Sequence, residues 1–187
     1  PFARSDESPD QNFYAQPRLV QHLDDRAIDV ARQLYARFLA NGMRVLDLMS
    51  SWQSHLPDGF EFRQLSGLGL NATELESNPG LSDHIVHDLN RVPRLPYADA
   101  TYDLVICSVS VEYLVRPFDV FAEVARVLRP GGVFATVFSN RWFPTKAVRI
   151  WTELHEFERM GLVLEYFRTA RLFKDLHSYS LRGLARP

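Results

Sequence analysis

The stretch LPYADATYDLVICSVSVEYLVRPFDVFAEVARVLRPGGVFATVFSN, residues 95–140, decides the fold of this 187-residue chain. Its apolar, β-branched run YDLVICSVSV, 102–111, predicts a central strand covered on both faces. Pro117 suits the first turn of a helix, and the apolar positions that follow recur at helical spacing. RPGG, 129–132, ends that helix, and VFATVF, 133–138, predicts another strand. The stretch therefore predicts two strands joined by a helix.

The flanking sequence continues this alternation. A helix begins near Asp24-Asp25, where carboxylates suit a helix start, and ends at Asn41-Gly42. Further predicted elements are strands at 44–48, 60–68 and 84–87, a helix at 144–160, a stretch at 161–173 that favours a helix, and a last strand within 173–184. Strands that alternate with helices predict an α/β fold, doubly wound, with a mostly parallel sheet.

Composition narrows the class of protein. A net charge of −2 and a pI near 6.3, without a basic block, argue against nucleic-acid and membrane-surface proteins. The single Cys107 has no disulfide partner, and no apolar run reaches the roughly 18 residues of a membrane span. The start of the chain lacks signal-peptide features. We expect a cytoplasmic protein with one domain, 24–187, preceded by a partly mobile segment, 1–23, that is a candidate pocket lid.

The order of motifs resembles a known family. RVLDL at 44–48, HDLN at 87–90 and the 95–140 stretch together are similar to class I S-adenosylmethionine-dependent methyltransferases of the small-molecule, type 11-like kind. The resemblance implies a Rossmann-like sheet of seven strands, or a reduced one, in the order 3-2-1-4-5-7-6 with the final strand antiparallel. It also implies S-adenosylmethionine as cofactor, S-adenosylhomocysteine as product, no metal, and a transferase of class EC 2.1.1.-.

Cofactor contacts follow from the resemblance by position. The loop after the first strand would face the methionine part, Asp88 would accept a hydrogen bond from the adenine amino group, and Ser108 and Val109 would neighbour the sulfonium. The full set of candidate cofactor residues is Asp47, Met49, Ser50, Ser51, Trp52, Gly69, Leu70, Asn71, Asp88, Leu89, Ser108 and Val109.

The first loop departs from the family pattern Asp-x-Gly-x-Gly-x-Gly. Its glycine positions hold Met49, Ser51 and Gln53, although glycine lets backbone approach a ligand and permits positive φ. We expect the hydroxyls and amides of Ser50 and Ser51 to hold the methionine carboxylate; the alternatives are ordinary loop serines, a capping role for Asp47 and core packing for Trp52. Gly69 stands where the family has a ribose-binding acid, and Asn71 or Glu74 are the candidate substitutes.

Two rival sites are weaker. GLGLNA, 67–72, fits a dinucleotide fingerprint with Asp88 about twenty residues later, but Asn78-Pro79-Gly80 leaves room for only a short helix. Asn71 and Glu74 are better explained as a capping pair. His84 and His87 flank a strand near acidic residues, but alternation spreads them over both faces, so we predict no metal site.

The expected activity is in-line methyl transfer to an unidentified small molecule. If the acceptor needs a base, the candidates in order are Glu112, Tyr113 and His22. Substrate contacts are expected from the segments before the first helix and after VFATVF: Tyr14, Arg18, Asn140, Arg141 and Trp142. The alternatives are a non-catalytic protein with this fold that binds cofactor weakly or acts through a partner and, less favoured, a dinucleotide-binding oxidoreductase.

Overall fold

One parallel sheet organises the chain. The computed structural model describes residues 1–181, and its sheet has five strands in the order β3-β2-β1-β4-β5. The strands are β1 Arg44–Leu48, β2 Gln64–Gly69, β3 Asp83–Val86, β4 Tyr102–Ser108 and β5 Leu128–Val137. Every pairing between them is parallel, so the predicted α/β class with a Rossmann-like, mostly parallel sheet is confirmed.

Helices cover both faces of this sheet. They are α1 Asp10–Phe13, α2 Asp25–Ala36, α3 Ala72–Glu76, α4 Pro117–Val127, α5 Arg149–Glu153 and α6 Glu156–Ala170, with a 3₁₀ turn at Val111–Tyr113. Tyr35 of α2 packs with Val45 and Ile106 on one face. On the other face, α4 and α6 pack with Leu46 and Val105, because successive strand residues point to opposite sides. The fold is therefore doubly wound.

Strand β1 lies at the point where the strand order reverses. It pairs with β2 on one side, through Leu46 and Ser66, and with β4 on the other, through Leu46 and Val105. The chain leaves β1 towards β2 and returns to place β4 on the opposite flank. In open α/β sheets, ligands bind beyond the carboxyl ends of strands at such a reversal. The loops after β1 and β4 are thus the expected site.

The prediction of a final antiparallel strand is wrong, since all five strands of the described chain are parallel. Residues 173–181 form no strand, and the remainder of the predicted segment lies outside the described residues. The chain turns after α6 at Arg171, which adopts φ 55°. Phe173 then packs on Phe167 and Phe134, at centroid distances of 5.0 and 6.1 Å. Aromatic packing therefore sets the path of this segment.

The predicted helix at 144–160 is divided in two. Helix α5 ends at Glu153, and α6 begins at Glu156 and runs through most of the stretch that favoured a helix. The break occurs because Glu158 accepts a hydrogen bond from the backbone N–H of His155, at 2.8 Å, which starts a new helix there. None of the described helices has the length and apolar character needed to cross a bilayer.

Candidate functional site

A cavity of about 340 Å³ opens at the carboxyl ends of β1 and β4. Its walls are the loops after β1, β2 and β4, the N-terminal segment and the segment after β5. The predicted residues that line it are Tyr14, Arg18, His22, Asp47, Met49, Ser50, Ser51, Trp52, Leu70, Asn71, Ser108, Val109, Tyr113, Arg141 and Trp142. This volume lies in the ordinary range for small-molecule sites.

The loop after β1 keeps a glycine-like conformation without glycine. Met49, at the first glycine position of the family pattern, adopts φ 58°, a left-handed conformation that costs a non-glycine residue free energy. The backbone N–H of Ser50 donates to Leu68 O at 2.8 Å, so the loop stays on the edge of β2. The loop therefore keeps the left-handed turn conformation although Met49 occupies the first glycine position of the family pattern.

A short buried hydrogen bond organises the same loop. The Ser50 hydroxyl donates to Oδ2 of Asp47 at 2.6 Å, and the Asp47 side chain is almost completely buried. Burial raises the pKa of the Asp47 carboxyl to about 6, although the hydroxyls of Ser50 and Ser54 act in the opposite direction. Asp47 therefore stabilises the conformation of the loop after β1.

The end of β2 packs directly on the β1 loop. A Cβ at Gly69 would collide with the carbonyl oxygen of Ser50, which explains why this position is glycine. Gly69 itself does not line the cavity, whereas Leu70 and Asn71 do. Close backbone packing therefore occupies the place at which the family has its ribose-binding acid.

The two candidate ribose ligands already have partners within the chain. Asn71 caps α3 by accepting from the N–H of Glu74 at 3.0 Å, and its Nδ2 donates to Tyr14 O at 2.8 Å. The Glu74 carboxylate accepts from the backbone N–H of Arg18 and from the Ser51 hydroxyl, both at 2.7 Å. Only the Asn71 half of the predicted capping pair is present, because the two Glu74 oxygens anchor the N-terminal segment and the β1 loop instead of accepting from the Asn71 N–H.

The predicted adenine contacts lie apart from the cavity lining. Oδ1 of Asp88 accepts from the backbone N–H groups of Asn90 and Arg91, at 3.0 and 3.2 Å, and so caps a turn. Leu89 is buried in the core. The adenine role of Asp88 and Leu89 stays a prediction.

The loop after β4 carries a second left-handed residue. Val109 adopts φ 47°, which is an outlier for a β-branched side chain, and its N–H donates to Val137 O at 2.7 Å. Ser108 shares a hydrogen bond of 2.7 Å with the hydroxyl of Tyr35. Strained backbone at Met49 and Val109 therefore flanks the strand reversal from both sides, as is common at functional sites.

The three candidate bases occupy different environments. Glu112 is fully buried, does not line the cavity, and neither carboxylate oxygen has a hydrogen-bond partner in the described structure; burial raises its pKa to about 8. Tyr113 lines the cavity and accepts from the N–H of Phe143 at 2.9 Å. His22 also lines it, and partial burial lowers its pKa. Only Tyr113 and His22 are positioned to face a ligand in the cavity.

Comparison with known proteins finds similarity to methyltransferases over part of the chain. Residues 63–136 match the family model described as a methyltransferase domain. The predicted family resemblance is confirmed. The methyltransferase GfsG of Streptomyces halstedii is 27% identical over 136 residues, which cover 66% of this chain and 48% of that protein. The chain thus spans about half the length of this relative.

Solved structures support the same methyltransferase fold. The complex of the Haloferax volcanii Trm112 methyltransferase activator with its putative methyltransferase matches at TM-score 0.60 and 22% identity, covering 79% of this chain and 69% of the other. The [4+2]-cyclase SpnF matches at TM-score 0.57 and 24% identity, covering 78% and 57%. At these identities the likeness concerns the fold alone.

S-adenosylmethionine is the cofactor that the methyltransferase family implies, and the β1 loop fits its methionine part. The fit rests on the left-handed turn at Met49 and the open space beyond β1 and β4; the Ser50 and Ser51 hydroxyls donate to Asp47 and Glu74, so only their oxygen lone pairs are left for a ligand. Among the described residues no group of three or more metal-ligating side chains occurs.

The structure also adds site residues that the sequence did not single out. Asn140 is absent from the cavity lining, whereas its neighbours Arg141 and Trp142 are present. The unexpected lining residues are Val20, Gln21, His55, Ser110 and Phe143. Phe143 lies in the segment after β5 that sequence had indicated, so proximity in the chain was its only signal. Val20 and Gln21 likewise lie in the indicated segment before α2, and Ser110 follows the predicted Val109, whereas His55 depends on how the loops cross in three dimensions.

Proposed function

We propose that this chain is an S-adenosylmethionine-dependent methyltransferase that acts on a small molecule. The observation that carries the proposal is the cavity at the strand reversal, flanked by the strained residues Met49 and Val109. The match to a methyltransferase domain over residues 63–136 supports the same reaction. A small cavity and a net charge of −2 favour a small acceptor over nucleic acid or a membrane surface.

In the proposed mechanism the protein mainly binds and aligns the reactants, and it contributes little acid–base catalysis. When bound, S-adenosylmethionine supplies an electrophilic methyl group on a sulfonium. Ser50 and Ser51 would hold its methionine end, while Ser108 and Val109 would border the reacting region. Aromatic walls at Tyr14, Trp142 and Phe143 would exclude water and align the acceptor, and such alignment can supply much of the acceleration.

A base is needed only for an acceptor that is protonated at the working pH. His22 is the better candidate, since it lines the cavity and partial burial lowers its pKa, which favours the neutral imidazole. Tyr113 would orient the acceptor through its hydroxyl, which already accepts from the N–H of Phe143. Glu112 is buried behind the cavity lining, so it would not contact the acceptor directly and could influence it only through neighbouring residues.

The N-terminal segment, residues 1–23, would serve as a lid over the domain at 24–187. Its Tyr14, Arg18 and His22 contribute to the cavity wall. Hydrogen bonds from Asn71 to Tyr14 O and from the Arg18 N–H to Glu74 hold it against α3. A cytoplasmic setting stays a prediction.

One observation favours a second function. Because Asn71 and Glu74 are occupied by the N-terminal segment, the ribose position has no free acid in the described structure. A protein with this fold that binds cofactor weakly, acts through a partner, or performs other chemistry would show this feature, and SpnF, a cyclase, shares the fold. Dinucleotide binding is less favoured, since α3 has only five residues.

Calorimetric titration with S-adenosylhomocysteine tests the proposal. We expect binding, and we expect Ser51→Ala to weaken it by up to about tenfold, because the variant removes the Ser51–Glu74 hydrogen bond that holds the β1 loop in place. Ser77→Ala is the matched control, because Ser77 also lies beside α3 but outside the cavity lining. No heat at millimolar ligand would overturn the proposal, and thermal protection by NAD would then favour the dinucleotide alternative.

A further inference from the structure

Arg18 brings a positive charge into the cavity without a carboxylate to neutralise it. Its guanidinium has no acidic side chain within salt-bridge distance in residues 1–181, although it lines the cavity. Arg4, Arg126 and Lys146, by contrast, have acidic partners at 2.6 to 3.3 Å. A partly buried cation without a partner is costly unless an anion joins it.

One nitrogen of Arg18 is buried and has no partner. Nη2 donates to Phe13 O at 2.8 Å, whereas Nη1 makes no hydrogen bond in the described structure. A guanidinium presents its donors in a planar fork that matches a carboxylate, so a ligand carboxylate can take the unused donors. The group is therefore satisfied at Nη2 and carries an unused, solvent-shielded donor at Nη1.

Aromatic rings fix the orientation of this guanidinium. Its central carbon lies 4.4 Å from the ring centroid of Phe13, 5.6 Å from that of Tyr14 and 5.4 Å from that of Phe143. Stacking on ring faces holds an arginine with little loss of hydrogen-bonding capacity. The rings also supply an apolar surface next to the charge, which suits a ligand with an apolar body.

Phe143 connects Arg18 to the residues expected near the acceptor. It stacks on Tyr113 at 5.9 Å and meets His22 edge-on at 5.6 Å. An anion held by Arg18 would thus place the attached molecule against Phe143, between Tyr113 and His22. This arrangement points to the acceptor side of the cavity.

The acidic side chains of the cavity are already engaged. Asp47 accepts from the Ser50 hydroxyl. Glu74 accepts from the Ser51 hydroxyl and the backbone N–H of Arg18. The other charged lining residue, Arg141, is positive. The cavity therefore presents unused positive charge to a ligand.

We propose that Arg18 is an anion-binding residue that selects a methyl acceptor with an apolar body and a carboxylate. The assignment rests on the proposed function and specifies its substrate class. The carboxylate bound by the Arg18 guanidinium could equally be that of the methionine part of the cofactor. Arg18 lies near the cofactor loop, because its backbone N–H and the Ser51 hydroxyl both donate to Glu74. The experiment must therefore separate these two sources.

The test uses benzoate as a carboxylate probe and benzamide as its neutral counterpart. Each is titrated into the full chain with and without saturating S-adenosylhomocysteine, whose own affinity is measured separately. We expect benzoate to bind at millimolar concentration and benzamide not to bind. We expect Arg18→Gln to weaken benzoate by about tenfold or more while S-adenosylhomocysteine affinity changes less than about threefold.

Two further variants complete the design. Arg18→Lys keeps the charge without the fork and is expected to retain part of the benzoate affinity, which also guards against a folding defect in Arg18→Gln. Arg63→Gln removes the same charge from an exposed position outside the cavity lining and should leave benzoate binding unchanged.

Three results would overturn the assignment: no benzoate binding to the wild-type chain, equal binding by Arg18→Gln, or a parallel loss of S-adenosylhomocysteine affinity in Arg18→Gln. The last result would assign Arg18 to the cofactor carboxylate. Failure of S-adenosylhomocysteine to bind the wild-type chain would instead sink the proposed function. Benzoate binding in the absence of cofactor would still report on Arg18, so the two failures are distinguishable.

Discussion

The hydroxyl of Ser51 donates to Oε2 of Glu74 at 2.7 Å, across 23 residues of sequence. The other oxygen of the same carboxylate accepts from the backbone N–H of Arg18 at 2.7 Å. One buried carboxylate therefore joins the β1 loop, helix α3 and the N-terminal segment. The shape of the cavity depends on this junction.

Removing the junction should destabilise the protein. Glu74→Ala leaves the Ser51 hydroxyl and the Arg18 N–H without a partner, so we expect a loss of about 1–3 kcal/mol in the free energy of unfolding. Urea titration measures it. Glu76→Ala on the same helix is the control, because Glu76 is exposed, and it should change stability by less than about 0.5 kcal/mol. Equal effects of the two variants would contradict the role given to Glu74.

The buried carboxyl of Glu112 should make stability depend on pH. Its pKa rises from 4.5 to about 8 on folding because burial disfavours the charged form. The folded protein therefore keeps a proton that the unfolded chain has lost, and stability falls as pH rises between 4.5 and 8. Urea titration from pH 6 to 8 should show a slope of at most about 1.4 kcal/mol per pH unit from this group.

Glu112→Gln should remove that slope and make the protein more stable at pH 8. Asp47→Asn provides the contrast: the pKa of Asp47 rises only to about 6, so its effect on the slope lies between its unfolded pKa of 3.8 and pH 6, and the variant should leave the slope between pH 6 and 8 unchanged. An unchanged slope between pH 6 and 8 in Glu112→Gln would show that another group titrates.

Restoring glycine to the β1 loop should be well tolerated. Met49 has φ 58°, so glycine relieves about 1 kcal/mol of backbone strain there and offsets part of the lost packing. Met43→Gly is the control, because Met43 is also half-buried against the core but its φ is not positive. We expect Met43→Gly to cost about 1–2 kcal/mol more than Met49→Gly in urea titrations. A larger cost at Met49 would contradict the strain argument.

The N-terminal segment should depend on one lysine. Lys146 is fully buried and its Nζ lies 3.0 Å from Asp6, 3.3 Å from Asp10 and 2.8 Å from Ser8 O. Lys146→Met leaves these buried partners without a cation. We therefore expect the free energy of unfolding to fall by about 3–5 kcal/mol and proteolytic cleavage to begin before residue 24.

The chain offers a natural control, since Lys174 is the other of its two lysines and is exposed. Lys174→Met should change neither stability nor cleavage. An amine-modifying reagent should label Lys174 and spare Lys146 in the folded protein. Rapid labelling of Lys146 would contradict its burial.

The sequence by itself determined the strands that build the sheet. Val45, Leu46 and Leu48 of β1 and the run through β4 are predictable because buried parallel strands require nearly continuous apolar residues. Their alternation with helices predicted a doubly wound sheet, and the family resemblance supplied the strand order and therefore the expected place of the site. The helix caps at Asp24 and Asn71 were also predictable from sequence, because a capping side chain bonds to a backbone N–H only three residues away.

Only the tertiary structure decided what each candidate residue contacts. Glu112 and Tyr113 are neighbours in sequence, yet one is buried away from the cavity and the other lines it. Asn71 and Glu74 meet partners more than 50 residues earlier, and Phe143 reaches Arg18 and Tyr113 across the cavity. The final antiparallel strand was wrong because aromatic packing of Phe173 redirects the chain. A side chain's burial, its long-range hydrogen bonds and an unpaired charge depend on which distant segments pack together. The local sequence pattern does not specify that packing.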